Sequence, residues 1–440
     1  MMTMEQIVSL AKRRGFVFPG SEIYGGLANT WDYGPLGARM LQNIKSLWWS
    51  RFVELRSDIF PVETGIIVNP KVWEASGHTA SFTDPLVECK SCHKRFRADH
   101  IEGSKQSLTL ADARVKCPEC SGELTNAKNF NLMFKTFIGP VEEQGNEVYL
   151  RPETAQGMFV NFKNVLTTER PNLPFGIAQV GKAFRNEITP GNFVFRTLEF
   201  EQMELEYFVH PEKWELAFEE WKREMWEWLI WIGADEKKLK WREHEKDELS
   251  HYSKRTEDVE FEFPFGWGEL YGLAYRTDFD LKNHAEKSGE DLVYKDPQTG
   301  KKIVPHVVEP TFGVNRTFLM LLASAYTQDG ERTYLKLDPK IAPYKAAVFP
   351  LVANKPELMK KADEVYSKLK LKLPTVFDDR GNIGKRYYAQ DEIGTPWCIT
   401  IDYQTLEDNT VTVRDRDTTE QVRISIDSLK EELDKRLDVR

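Results

Sequence analysis

Apolar positions along this chain follow two periods, one helical and one strand-like. Residues 37–56 (GARMLQNIKSLWWSRFVELR) place Leu41, Ile44, Leu47, Trp48 and Phe52 on one face, which predicts a long amphipathic helix. The chain then turns extended through Ile59–Pro61, and further strand-like runs fall near Glu147–Leu150 and Phe175–Val180. Residues 192–208 (NFVFRTLEFEQMELEYF) alternate apolar and polar, the pattern of a half-buried strand. Pro211 opens a second helix, since proline is tolerated in a first helical turn. Along it Trp214, Phe218, Trp221, Met225, Trp228 and Ile232 recur at helical spacing, an aromatic stripe that reads as core or domain-packing surface and not as a cofactor box. Asp338 to Pro343 predicts a linker. Beyond it AAVFPLV, a Lys-rich helix over 356–370, a GNIGKR turn, CITIDY and TVTVRDR alternate strand and helix, which is the pattern of an α/β unit.

Composition narrows the class. Of the 440 residues 41% are hydrophobic and 29% charged, which excludes disorder as the main state. Sixty Lys+Arg against 69 Asp+Glu gives a net charge of −9, so bulk charge does not mark a nucleic-acid binder, although a local basic stripe would suffice. No run of ~18 apolar residues predicts a membrane span. The first residues, MMTMEQIVSLAKRRGF, lack the apolar run of a secretory signal. Five cysteines in this length are not a disulfide framework, and the expected compartment is the reducing cytoplasm.

Four of those cysteines form two C-x2-C pairs, Cys89/Cys92 and Cys117/Cys120, inside a stretch whose composition turns polar and basic, as in an inserted module. The spacing suits a tetrahedral zinc site with two thiolates from each pair; a ribbon without metal, or oxidised pairs, is the alternative. Four thiolates leave no position open for a water, so the role would be structural. His93 and His100 would be surplus ligands at the surface. Cys398 reads as a buried small hydrophobe in a strand.

The densest chemistry lies in Gly181-Lys-Ala-Phe-Arg185-Asn186-Glu187 and, after a short loop, Phe195-Arg196-Thr-Leu-Glu-Phe200-Glu201-Gln202-Met-Glu204. Two paired strands would bring Arg185, Arg196 and Phe200 to one pocket. Guanidinium forks suit phosphate oxygens, an aromatic face can stack a purine, and a carboxylate can accept from an adenine amino group. Taken alone, an Arg-rich hairpin is more often solvated surface. The GNIGK run at 381–385 is no phosphate loop, because it does not meet G-x-x-x-x-G-K-[ST].

FRNE…FRTLEFEQME resembles the second signature motif of class II aminoacyl-tRNA synthetases. Glu309-Pro-Thr311-Phe-Gly313-Val-Asn-Arg316 resembles the third, and the helix ending at Pro61 the first. WDYGPLG at 31–37, WEASGH at 73–78, RPETAQG at 151–157 and FPFGWGE at 263–269 resemble glycyl-tRNA synthetases in particular. The resemblance implies an α+β fold: an antiparallel catalytic sheet flanked by helices over 1–338, with a zinc-ribbon-like insertion at 89–120 and a helical insertion at 206–260. An α/β anticodon-binding domain would follow over 339–440. It implies a homodimer, in the cytoplasm, that ligates glycine to its cognate tRNA through glycyl-adenylate, with ATP and Mg2+.

Carried over residue by residue, Arg185 and Arg316 would be catalytic. ATP would be bound by Arg185, Asn186, Glu187, Phe195, Arg196, Phe200, Glu269, Leu270, Gly313 and Arg316, with Glu269 a magnesium ligand. Glycine would be bound by Arg97, Glu153, Phe200, Glu201, Gln202, Glu204, Glu309, Thr311 and Gly313, and Cys89, Cys92, Cys117 and Cys120 would hold zinc. Two departures stand out: Asn315 where the motif often has an acid, and Thr311 where relatives often have serine. Lys385, Arg386, Arg414 and Arg416 are candidates for contacting tRNA, or else solvated surface charges; His78 and His306 read as structural, or else as supports of the pocket. Two other readings compete: a class II synthetase for another amino acid, and a non-catalytic synthetase-like protein that binds nucleic acid.

Overall fold

A computed structural model describes residues 2–98, 101, 115–188 and 190–438. His100 and much of the segment between the cysteine pairs lie outside them. The larger sheet has seven strands: β1 (Ile59–Pro61), β2 (Phe175–Phe184), β3 (Glu199–Val209), β4 (Leu239–Glu243), β5 (Arg255–Phe263), β6 (Gly266–Thr277) and β7 (His306–Gly313). Their order is β4-β5-β6-β7-β3-β2-β1, antiparallel throughout except for β1, which lies parallel to β2 at the edge. This is the antiparallel sheet flanked by helices that the resemblance implies.

The interior strand β3 is not half-buried. Nearly all of it from Gln202 to Val209 is buried, because both faces are covered. Met203, Leu205, Tyr207 and Val209 enter the main core with α1 (Pro35–Trp49) and the aromatic stripe of α3 (Trp214–Trp231). There the Phe52 ring lies 5.7 Å from both Trp221 and Trp228. Phe208, on the other face, packs on Phe159 of α2 (Ala155–Val160). Between Phe208 and the strand's start, that face carries Gln202, Glu204 and Glu206, and a solvated-face reading of these polar residues fails for all three. The strand also begins later than its pattern suggests: residues 193–195 form a 3-10 turn after Asn192, whose φ is +55°.

Other boundaries shift for local reasons. Gly34 caps α1 and Pro35 occupies its first position, and the predicted helix continues as a π turn over Ser50–Glu54. The 206–260 segment is helical only in part: after α3 it supplies β4 and β5 to the main sheet. No helix among the described residues is long and apolar enough to cross a membrane.

The second sheet runs β9-β8-β10-β11-β12, from β8 (Ala346–Pro350), β9 (Thr375–Phe377), β10 (Trp397–Ile401), β11 (Thr410–Asp415) and β12 (Gln421–Ser425). Pro356–Leu369 forms a helix as predicted. The GNIGKR run is not a turn but the start of the helix Ile383–Glu392, because the Asn382 side chain caps it.

That helix overturns three of the four candidate tRNA contacts. Arg386, Arg414 and Arg416 are buried, and only Lys385 is exposed. Arg414 grips Asp391 with two bonds of 2.9 and 3.1 Å, while Arg332 reaches the same carboxylate at 2.8 Å. Arg416 donates to the carbonyls of Gly394 and Leu337, and Arg386 to those of Pro350 and Gly381. Sequence reasoning saw charge and assumed solvent. Replacing Arg414 by alanine leaves Asp391 under-compensated in the interior and costs about 3 kcal/mol. Thermal melting should show that loss.

Candidate active site

One cavity of about 250 Å³ opens on the face of the large sheet where β3, β6 and β7 meet. Its mouth is cationic. Arg185 follows the end of β2, and Phe200 lies opposite Ala183 across the β2–β3 pair, so the Arg185 guanidinium sits 5.3 Å above the Phe200 ring. The Arg185 Nε donates to the Pro152 carbonyl at 3.0 Å, and the fork beyond it faces the cavity. Arg196 and Glu187 line the same mouth. Arg316 stands in the first turn of α5 (Val314–Ala325), which Gly313 caps. Its Nη1 meets Glu269 Oε1 at 2.9 Å, and its guanidinium lies 4.6 Å from the Phe195 ring. Arg316, aided by Arg185 and Arg196, holds the Glu269 carboxyl below its ordinary range. Leu270 completes this wall.

The floor is acidic. Glu153, Glu204 and Glu309 are buried at its base. Glu204 accepts from Thr311 Oγ1 at 3.0 Å, from Gln202 Nε2 at 3.2 Å and from Thr154 Oγ1. Burial and the charge of Glu153 nevertheless push Glu204 above the carboxylate range. Burial also acts on Glu153, but His78, 3.2 Å away, and Arg276 outweigh it and hold that carboxyl low. Glu309 is pushed up to about 8 by burial and by Glu204 and Glu153, despite a 2.7 Å bond from Arg276 Nη1. His78 therefore supports the floor directly, with Ser76 at 2.8 Å on its other nitrogen.

Most of the expected ligands meet here; two do not. Arg97 is not on the cavity wall. It pairs with Asp84 at 2.7 Å, because the strand Arg95–Arg97 folds back on Thr83–Glu88 inside the cysteine-rich module. The module reaches the site instead through Phe82, whose ring lies 5.3 Å from the Arg185 guanidinium. Asn186 also misses the wall; its backbone N–H donates to the Leu132 carbonyl at 2.7 Å. Asn315 explains its departure from an acid. It donates to the Tyr33 hydroxyl at 2.6 Å and accepts from the Glu201 N–H at 2.8 Å, a clamp between two segments.

Sequence reasoning missed Arg276, which organises the floor. It is 1% exposed and forks onto Asp280 at 2.8 and 2.9 Å while binding Glu309. Its plane lies 3.8 Å from the Tyr252 ring. The signal was available in LAYRTDFD: an arginine at the end of an apolar strand with a carboxylate four residues on. His244 and Asp258, 2.7 Å apart on the opposite wall, were missed as well. Burial and Glu269 push Asp258 up to about 6.

Away from the cavity, the ligand atoms of Cys89, Cys92, Cys117 and Cys120 all lie within 4.8 Å of one another. N–H groups of Cys92 and Ser91 point at the Cys89 sulfur and push its thiol down to about 6. Four converging sulfurs with backbone donors on three of them, Cys89, Cys92 and Cys120, are a donor set that fits zinc. His93 stands outside the cluster, exposed, 3.4 Å from Glu88.

An antiparallel sheet with a cavity on one face and three arginines at its mouth is the arrangement the resemblance to class II aminoacyl-tRNA synthetases implies. Residues 134–325 match the tRNA synthetase class II core domain (G, H, P, S and T), and residues 345–436 match the anticodon binding domain. The chain is 52% identical to the glycine--tRNA ligase of Caldanaerobacter subterraneus subsp. tengcongensis over 99% of both chains. It is 52% identical to that of Geobacillus thermodenitrificans over 99% of this chain and 98% of the relative. The figure for the Clostridium acetobutylicum ligase is 51%, over 99% of each. The chain belongs to the glycine--tRNA ligase family.

Proposed function

We propose that this enzyme charges tRNA with glycine in two steps at the cavity described above: glycine and ATP form glycyl-adenylate and pyrophosphate, and the glycyl group then passes to the tRNA 3′ end. One observation carries the reading: a single cavity joins a mouth of three guanidinium groups to a floor of buried carboxyls. Phosphates belong at the first and an ammonium at the second. Phe200 offers its ring to adenine, with Phe195 beside it. The glycine carboxylate attacks the α-phosphorus in line. Charge gathers on the phosphoryl oxygens, and Arg185, Arg196 and Arg316 stabilise it from fixed positions. No enzyme nucleophile is required, since orientation of the two substrates supplies much of the rate. Mg2+ held by Glu269 with the phosphates would neutralise the departing pyrophosphate.

Selection is steric and electrostatic. Glu153, Glu204 and Glu309 accept from the ammonium and leave the Cα hydrogens against Thr311 and the strand backbone, so any side chain meets packed atoms. Glycine-dependent ATP–pyrophosphate exchange tests the assignment. Exchange should be robust with glycine and at least about a hundredfold weaker with alanine or serine; equal exchange with either rejects it. A non-catalytic nucleic-acid binder has no use for three arginines converging on a pocket.

The remaining assignments complete the picture. Zinc in the four-cysteine cluster would brace the module that presents Phe82. A homodimer is supported by exposed apolar side chains near the β1 edge, among them Leu55, Ile66 and Ile67. The unpaired thiols suit a reducing cytoplasm. The 345–436 unit is the natural reader of the anticodon, with Lys385 among its exposed cations.

A further inference from the structure

Glu206 is the most thoroughly enclosed carboxyl near the site, and nothing above uses it. It lies on β3 two residues beyond Glu204, on the same face of the strand, with no exposed surface. The β3–β7 register pairs Tyr207 with Val308 and Glu204 with Thr311, which puts Glu206 directly opposite Glu309. On its other side β2 offers Ile177. Neither Glu206 oxygen has a hydrogen-bond partner among the described residues. The cation among the described residues that acts on it, Arg276, has its fork on Asp280 and Glu309. The charged and titratable groups around it are Glu204 of its own strand, Glu309 of β7, Arg276 of β6, Asp280 and His284 of the helix Phe279–Ser288, and Glu153 and Tyr252 at the cavity floor.

An ionised carboxylate without partner or cation in such a place is prohibitively unfavourable, whereas a neutral acid is not. Two carboxyls facing each other across a ladder, with one guanidinium bond between them, cannot both ionise cheaply. We propose that Glu206 is a positioning residue of the glycine pocket: facing Glu309 across the ladder, it keeps the pair of carboxyls from being ionised together, so that the pair holds one proton, and the arriving ammonium group displaces this proton. The inference rests on the reading of the acidic floor as the ammonium site.

Burial, with the charge of Glu309 added, pushes the Glu206 carboxyl far above its ordinary range, in the direction the geometry demands. In the substrate-free pocket that proton keeps the floor from repelling itself open. When the ammonium binds, its positive charge favours the doubly ionised pair, and the proton leaves to solvent. Binding and proton release are then linked: raising the pH removes the competing proton and tightens glycine.

Isothermal titration of the full chain with glycine, in the presence of a non-hydrolysable ATP analogue and in buffers of differing ionisation enthalpy, reads the protons released. A fraction of a proton should be released, largest near about pH 8, and the glycine KM in pyrophosphate exchange should fall about tenfold between about pH 6.5 and 8.5. In Glu206→Gln the side chain keeps its volume but can no longer carry a charge opposite Glu309, so release should fall and the KM profile flatten. Proton release in Glu206→Gln equal to the parent's would assign the titration to another acid and overturn the inference. So would a parent chain that binds glycine without releasing protons, a result that holds even if the variant fails to fold. A chain that binds no glycine at all overturns the functional reading beneath it, which is a different and recognisable outcome.

Discussion

Arg185→Ala lowers glycine-dependent ATP–pyrophosphate exchange by about a thousandfold and leaves the fold intact. The size follows from where the guanidinium stands. One nitrogen is tied to the Pro152 carbonyl, and the plane lies over Phe200. The remaining donors point into the cavity between the cationic mouth and the acidic floor, where the α-phosphate must sit if the amino-acid carboxylate is to reach it. Removing one preorganised donor from a developing oxyanion costs about 10²–10³ in rate, and a bidentate charged donor stands at the upper end. Arg185→Lys keeps the charge but loses the fork, so about a hundredfold loss is expected. The side chain is only half-buried, so the melting temperature should move by no more than a few degrees. Exchange assays at saturating ATP, alongside melting curves, check both numbers. An alanine variant within tenfold of the parent would remove Arg185 from the reaction.

How far the sequence foretold this site depends on what kind of regularity each part needed. Long periodic segments were legible: α1 and the tryptophan stripe of α3 bury the faces their spacing assigns, because apolar surface has nowhere else to go. The cysteine pairs converge because metal-ligand spacing is a local property. Strand β3 was misread for the opposite reason. Its alternation of polar and apolar residues normally means one wet face, but here Gln202, Glu204 and Glu206 point into an enclosed floor. Periodicity reports which residues share a face and says nothing about what covers it.

Charge was the least legible property. Arg386, Arg414 and Arg416 looked like a nucleic-acid surface and are internal braces, while Arg97 matched a ligand position and instead closes a turn of the module. Arg276 attracted no attention and governs the floor. In each case the deciding fact is the partner: Asp391, Asp84 or Asp280 comes from tens of residues away, or from an adjacent element whose orientation only the fold sets. Asn315 illustrates the same point on a smaller scale, since its value lies in Tyr33, which is 282 positions earlier.

Arg276→Met is the substitution with the largest expected effect on stability, and its pH dependence separates electrostatics from packing. The methionine fills much of the arginine's space between Tyr252 and Phe159, so little cavity is left. What is lost is the only cation among the described residues that is bonded to Asp280 and Glu309, both buried. Breaking buried pairs by removing one partner costs about 3–5 kcal/mol. Glu309, left without its cation, answers by holding its proton more tightly, so its pKa in the folded variant rises further above that of the unfolded chain. A group whose folded pKa is raised binds more protons when folded, and its contribution to stability is kept at low pH and lost as pH rises through the folded value. Glu309 is already pushed up to about 8 with Arg276 present, so the variant's added loss should accumulate between the ordinary carboxylate range and that value or beyond. Melting curves of parent and variant should therefore lie closer together at about pH 5 than at about pH 8. A gap that stays constant across that range would mean that Arg276 acts by filling space, and that the acidic floor does not depend on its charge.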